Sequence, residues 1–482
     1  EFLHVQTTGG STAVRFTGVV GMRRAGAAAR WMLMQAAAKQ WNVAADEISS
    51  KESRLFHTAS GKSASYGEMA SYAVDFDPPA SLPLKDPKNY TISGTPKQRF
   101  DIPAKVDGSA IYGIDMRLPG MMFAAIKACP VFGGRLKSFD AKSVSMMRGV
   151  KSVHGVGENS VAVIADNFWR AQQALLVLPI EWDEGANAAH SSATILTGMQ
   201  AALEKGDFET DHAFGDAEAA TKSAAKVVEA VYSVPNLAHA TMEPMNCTAH
   251  FSGGRLEVWG GFQDGLGARV RAAEVAGLAL ENVTLHHTAM GGGFGRRGST
   301  LNYMVQAILL AKQVDYPVNM IWSCEEDMTQ DYYRNASVAN MRAGLDAAGR
   351  PVAWQQDYTE KRDPEDATWI PYAIADRRAR VVSGTDPIPF GAWRSVAHTQ
   401  HGFFIESFMD ELAHAAGRDP FEYRRDLLGD APDQKIILEA AAQMSGWGTP
   451  LPLGRARGIA LRQSFGTIVA QVAEVSVNPE GQ

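Results

Sequence analysis

The chain has 482 residues, 45% apolar and 21% charged, a globular composition with room for about three domains of ordinary size. A net charge of -7 with no long basic run excludes a nucleic-acid footprint, and no apolar run reaches the ~18 residues of a membrane span. Cys129, Cys247 and Cys324 lie far apart and form no C-x-x-C pair, which excludes a conventional four-cysteine iron–sulfur cluster or zinc ribbon within this chain.

The opening EFLHVQTTGG lacks the basic-then-apolar order of a signal peptide. The chain starts inside what reads as a strand and turn, and AQVAEVSVNPEGQ stops just after an alternating strand, so both ends read as cut. Residues 1–75 begin with TTGGSTAVR, a glycine turn with hydroxyls at Thr7, Thr8, Ser11 and Thr12, and continue into a helix over about 21–41 rich in Ala, Met and Arg. Its arginines fall mainly on one side. The proline-rich stretch 76–95 has no helical period and reads as a linker. Over 96–185 short strands and turns alternate, with one helix near 167–177, as in a compact α+β domain. Residues 186–430 mix helices and strands in a larger α+β region, and 431–482 begin another. No internal repeat is found.

The stretch AMGGGFGRRGS, 289–299, has two readings. Gly293, Gly295 and Gly298 spell G-x-G-x-x-G. The context suits a dinucleotide fold: VTLHHTAM as a strand before, STLNYMVQAILLAKQV as a helix capped by Ser299 or Thr300 after, then PVNMIWS and Glu325. Against it, a buried first strand should be apolar, yet His286 and His287 stand in its middle, and Gly291 and Gly292 are surplus. NAD or FAD, another phosphate-bearing cofactor, and a plain tight turn all stay open at this point. Consecutive glycines allow close backbone approach to a ligand, a helix N-terminus just beyond adds a positive dipole end, and Arg296 and Arg297 add fixed charge, so the expected ligand is anionic.

Other stretches bear on the choice. Gln263 closes a strand in LEVWGGFQDG and offers an amide donor and acceptor. Arg394 lies in a turn, GAWRSV, before a long helix carrying Glu406 and Asp410; alone this reads as a capped helix with a solvated acidic face. His239 and Glu243 are four apart, the spacing of a metal pair on a helix, but Pro244 breaks such a helix and no third ligand is evident.

Taken in order, these stretches resemble the molybdenum hydroxylases, specifically the large molybdopterin-binding subunit of the xanthine and aldehyde oxidase superfamily. The nearest branch holds the isoquinoline 1-oxidoreductase beta subunit and the membrane-bound aldehyde dehydrogenase large subunit. FDIPAKVDGSAIYGIDMRLPGMMFAAI resembles the family's small α/β hammerhead domain, MGGGFGRR its cofactor loop in the Arg-Arg form, and GAWRSVAHTQHGFFIESFMDELAHAAGRDP the branch's pattern almost throughout.

The resemblance implies an α+β large-subunit fold: an N-terminally incomplete part of the molybdopterin-binding domain at 1–75, the 76–95 linker, the hammerhead at 96–185, molybdopterin-binding residues 186–430, and the start of a second such domain at 431–482. It implies that Thr8, Gly9, Gly10, Ser11 and Thr12 hold the pterin or its phosphate. Gly292, Gly293, Phe294, Gly295 and Arg296 would form the cofactor loop. Gln263 would lie near the apical metal ligand, and Arg394 in the active-site arginine loop. Gln263 and Arg394 are also the residues placed at the chemistry. Molybdenum would be held by the pterin dithiolene, with no protein ligand. The implied cofactor is molybdopterin with molybdenum, in its cytosine dinucleotide form. [2Fe-2S] clusters and haem c would sit on partners, a small [2Fe-2S] subunit and a cytochrome c subunit. The implied reaction oxidises an aldehyde to a carboxylic acid with water-derived oxygen. Hydroxylation of an N-heterocycle by the same chemistry is the near alternative, and an NAD-dependent dehydrogenase or a non-catalytic scaffold the distant ones. The implied location is periplasmic, associated with the cytoplasmic membrane through a partner. Two family motifs are absent: the G-Q-G loop before TTGGST, and the G-E-P segment that bears the glutamate base. The expectation is that the mature protein continues beyond this chain.

Overall fold

The computed structural model describes residues 7–9, 13–361, 366–384 and 386–481. The chain divides into two compact units, one of Glu1–Ile111 with Gln263–Gly267, the other of Tyr112–Phe262 with Ala268–Gln482.

In the first unit a π-helical segment, Ala13–Met22, runs into the α-helix Arg23–Trp41, which stops where Asn42 turns left-handed at φ 57°. The expected two-sidedness is present. Leu33, Ala36 and Ala37 are buried against Ile48, Leu55 and Met69, while Arg24 and Arg30 are exposed. A three-stranded antiparallel sheet follows, Ile48–Lys51, Arg54–His57 and Lys62–Ser65. The helix Tyr66–Ala73 starts at a capping box, in which the Ser65 hydroxyl accepts from the Glu68 amide and the Glu68 carboxylate accepts from the Ser65 amide.

In the second unit a seven-stranded sheet runs in the order Val283–His287, Arg255–Gly260, Asn246–Ser252, Val318–Ile321, Met122–Ala128, Ser160–Ala165, Val150–Val156. Ser160–Ala165, SVAVIA, is buried at every position, as an inner strand covered on both faces must be. Strands expected to build a small domain over 96–185 share this sheet with strands beyond 245. The helix Asn302–Ala311 is apolar nearly all round, and Tyr303, Met304, Ile308 and Leu310 are fully buried against the sheet with Val258, Met320 and Trp322. Each such large side chain contributes roughly 1.5–3 kcal/mol by leaving water.

A second sheet has the order Lys226–Val234, Ser337–Leu345, Pro351–Glu360, Asp376–Ser383, Glu209–Phe214. The long helix His398–Ala415 buries Phe404, Phe408 and Leu412 against it. Glu406 and Asp410 do not form the expected solvated face. Glu406 is buried and accepts from Arg424 Nε, Tyr372 Oη and the Leu461 amide, while Asp410 accepts from Arg424 Nη1. Arg424 is itself fully buried, so it requires both carboxylates.

Candidate functional site

The loop at 289–298 leaves an edge strand, Val283–His287, which pairs in parallel with Arg255–Gly260. The edge position accounts for its histidines: His286 stacks on Trp259 and pairs with Glu257, and His287 Nε2 lies 2.7 Å from the Phe262 carbonyl. The dinucleotide reading is overturned by the sheet order. The next strand, Val318–Ile321, is separated from Val283–His287 by two others, whereas a dinucleotide fold sets these two strands side by side. The helix also starts later than expected. Its cap is Leu301, in the left-handed region at φ 43°, not Ser299 or Thr300. No helix N-terminus therefore follows directly on the glycines, and Glu325 stands exposed on the short helix Cys324–Thr329.

Within the loop Gly292 has φ +107°, Phe294 +57° and Gly295 +111°. A Cβ on Gly291 would lie 2.4 Å from the Glu243 Cβ, and one on Gly295 would lie 1.4 Å from the Ala392 carbonyl oxygen. The glycines are needed for conformation and for contact with two other segments. The Gly291 amide donates to Glu243 Oε2 at 2.8 Å. The amides of Gly292, Gly293 and Phe294 donate to no acceptor among the described residues. Three successive N–H groups on a glycine loop form a donor array for an anionic or oxo group.

The two arginines do not present the expected charge. Arg296, assigned to the cofactor from the sequence, is 1% exposed, and its Nε pairs with Asp331 Oδ1 at 2.7 Å. Its guanidinium sits among the rings of Tyr303, Trp322 and Tyr332. Arg297, fully buried, donates to the carbonyls of Gly292 and Glu243 and pairs with Glu243 Oε2 at 3.1 Å. An unpaired guanidinium under a packed loop is too costly, so each turns inward to a carboxylate and braces the loop from below. Glu243 completes its shell with the Ile114 amide and Asn246 Nδ2. His239 faces Asp331 instead of Glu243, so the four-residue spacing brings no metal pair together, and no group of three metal-ligating side chains occurs among the described residues. Beside this cluster Asp327 is 6% exposed; burial pushes its carboxyl up to about 6, against the opposing attraction of Arg296.

Arg394 is exposed, with its guanidinium 5.5 Å from the Phe294 ring and 5.4 Å from the Trp393 ring. No carboxylate pairs with it among the described residues. The next two residues, Ser395 and Val396, have φ +67° and +44°. Such angles are unusual for a β-branched residue and cluster at functional sites. The structure thus brings the 292–295 loop and Arg394 together.

The other sequence-derived candidates lie in the first compact unit. The Thr8 amide donates to the Gln263 carbonyl at 2.7 Å, and Gln263 Nε2 donates to the Thr8 carbonyl at 3.0 Å. Thr7 Oγ1 adds a bond to Asp264. Thr8 and Gln263 are therefore paired with each other. Gly10, Ser11 and Thr12 lie outside the described residues. Sequence reasoning missed Asp331, which carries no motif: its role is visible only through its partners, His239 and Arg296.

Residues 202–428 match the molybdopterin cofactor-binding domain family, a range that holds Gln263, the glycine loop and Arg394. A region similar to the molybdopterin cofactor-binding domain thus occupies just under half of the chain. The chain is 26% identical to the isoquinoline 1-oxidoreductase subunit beta of Brevundimonas diminuta, over 95% of its own length and 66% of that relative's. It is 28% identical, with the same coverage, to a protein of Gluconacetobacter polyoxogenes named membrane-bound aldehyde dehydrogenase [pyrroloquinoline-quinone]. The chain thus spans just under two thirds of the length of these relatives. In fold it is similar to quinoline 2-oxidoreductase of Pseudomonas putida 86, with TM-score 0.61 and 18% identity over 76% of this chain and 57% of that one. The uncommitted amides of Gly292, Gly293 and Phe294 fit a molybdopterin, whose oxo and phosphate oxygens accept hydrogen bonds.

Proposed function

We propose that this chain is the molybdopterin-binding part of an enzyme that oxidises an aldehyde to the carboxylic acid, with the oxygen derived from water. The observation that carries the reading is the donor array of Gly292, Gly293 and Phe294 beside an Arg394 that no described carboxylate neutralises. The bound molybdopterin supplies the redox chemistry at its metal. The chain's own residues do the rest. The three amides hold the cofactor edge, and the Phe294 ring shields it while stacking against Arg394. The guanidinium stabilises negative charge that develops on the substrate oxygen. The glutamate base of the family has no G-E-P counterpart among these residues.

The same site also suits hydroxylation of an N-heterocycle, and the relative named isoquinoline 1-oxidoreductase favours that second reading. Electrons would leave to a small [2Fe-2S] subunit and a cytochrome c subunit, in a periplasmic complex held at the membrane by a partner. The cofactor would be the cytosine dinucleotide form.

Elemental analysis and turnover with an artificial electron acceptor test the reading together. The expected result is about one molybdenum per chain, with faster turnover of an aldehyde than of isoquinoline or nicotinate. Absence of molybdenum, or a quinone chromophore in its place, would overturn the cofactor. Faster turnover of the heterocycle would overturn the substrate class.

A further inference from the structure

We propose that His239 and Asp331 are positioning residues that clamp the Arg394 loop onto the glycine loop. The inference rests on Arg394 being the cation of the site, as proposed above.

Asp331 is 1% exposed and links both loops through one carboxylate. Its Oδ1 meets Arg296 Nε at the foot of the glycine loop and accepts the Tyr332 amide, each at 2.7 Å. Its Oδ2 accepts the His239 amide at 2.5 Å and faces His239 Nδ1 at 2.9 Å. The opposite ring nitrogen, Nε2, is 3.3 Å from the Ala392 carbonyl oxygen. That oxygen is the same atom a Cβ on Gly295 would strike, so His239 holds the point at which the two loops touch. Around it Trp393 Nε1 donates to the Ala238 carbonyl, and Gly391 N donates to the Tyr333 carbonyl.

The loop depends on such anchors. Ser395 and Val396 hold left-handed backbone angles, which persist only where the surroundings impose them. The Arg394 side chain has ring contacts but no described ion pair, so it does not fix its own position. Its place is set by the backbone, and the backbone is set by the clamp.

The test is amide hydrogen exchange, read by mass spectrometry, on the purified holoenzyme and its H239Q and D331N variants. The amides of Gly391, Trp393 and Val396 are hydrogen-bonded and report the loop directly. The expected result is exchange roughly tenfold faster at these three amides, with the strands of both sheets unchanged. In H239Q, which leaves the Arg296–Asp331 pair intact, molybdenum content should stay at the wild-type value and KM should rise. Unchanged exchange at the loop overturns the proposal. So does an increase spread evenly over the chain, which would mean a general loss of stability. Should neither variant accumulate folded, Trp393→Phe removes the donor to Ala238 while keeping a ring beside Arg394, and the same local acceleration is expected or its absence decides against the clamp. A wild-type protein without molybdenum would overturn the proposed function and leave the exchange result to stand or fall by itself.

Discussion

Gly295 and Ala392 are in backbone contact across 97 positions of sequence: a Cβ on Gly295, at φ +111°, would lie 1.4 Å from the Ala392 carbonyl oxygen. The seam they form joins the amide array to the arginine loop. Gly295→Ala is expected to push the loops apart and to cost on the order of 3 kcal/mol through strain and overlap. Molybdenum content should fall severalfold in protein that still shows native circular dichroism. Wild-type metal content and an unchanged unfolding midpoint would refute the role of the seam.

Glu243 and Arg297 form a buried pair under the same loop. Removing one partner leaves the other charged and unpaired, so Glu243→Met and Arg297→Met should each destabilise by about 3–5 kcal/mol. A double substitution of Glu243 and Arg297 to methionine should recover much of that loss. Unfolding midpoints of the four proteins give the coupling. Additive losses would mean that the pair is not coupled.

Arg394 is exposed and carries no described ion pair, so it can be replaced with little effect on folding. Arg394→Ala should change stability by less than about 0.5 kcal/mol. It should lower kcat/KM by roughly 100-fold or more, with the cofactor retained. Steady-state kinetics beside metal analysis separate these. Activity within about threefold of wild type would remove Arg394 from the chemistry.

Asp327 sets a pH dependence of stability. Burial pushes its folded carboxyl up to about 6, from the ordinary 3.8. The folded protein therefore keeps a proton that the unfolded chain has released. The stability this provides is complete below pH 3.8 and is lost as pH rises to about 6. Asp327→Asn should stabilise the protein at pH 8, by on the order of 2 kcal/mol, and the gain over wild type should shrink at pH 5. A gain that is equal at both pH values would show that the carboxyl is not raised.

The site was partly legible because its backbone requirements are local. Three consecutive glycines, a turn before a long helix and the residues around Gln263 each declare themselves within a few positions. The direction of Arg296 and Arg297 was not legible. A guanidinium beside glycines suits a ligand as well as a buried carboxylate, and only the positions of Asp331 and Glu243 choose between them. Glu406 reads as a surface acid on a helix until Arg424 and Tyr372 are seen against it.

By itself the sequence determined where the backbone must turn left-handed or approach another segment closely, which stretches carry helical or strand periodicity, and which family pattern their order matches. Those are properties of neighbouring residues and of the chain's own sterics. The tertiary structure decided the strand order that rules out a dinucleotide fold, the burial of both arginines, and the clamp of His239 on Asp331, residues 92 positions apart. Each of these is a pairing across a long stretch of chain. It is selected by the cost of leaving a charge or a strand edge unpaired in the interior, and that cost exists only once the chain has folded.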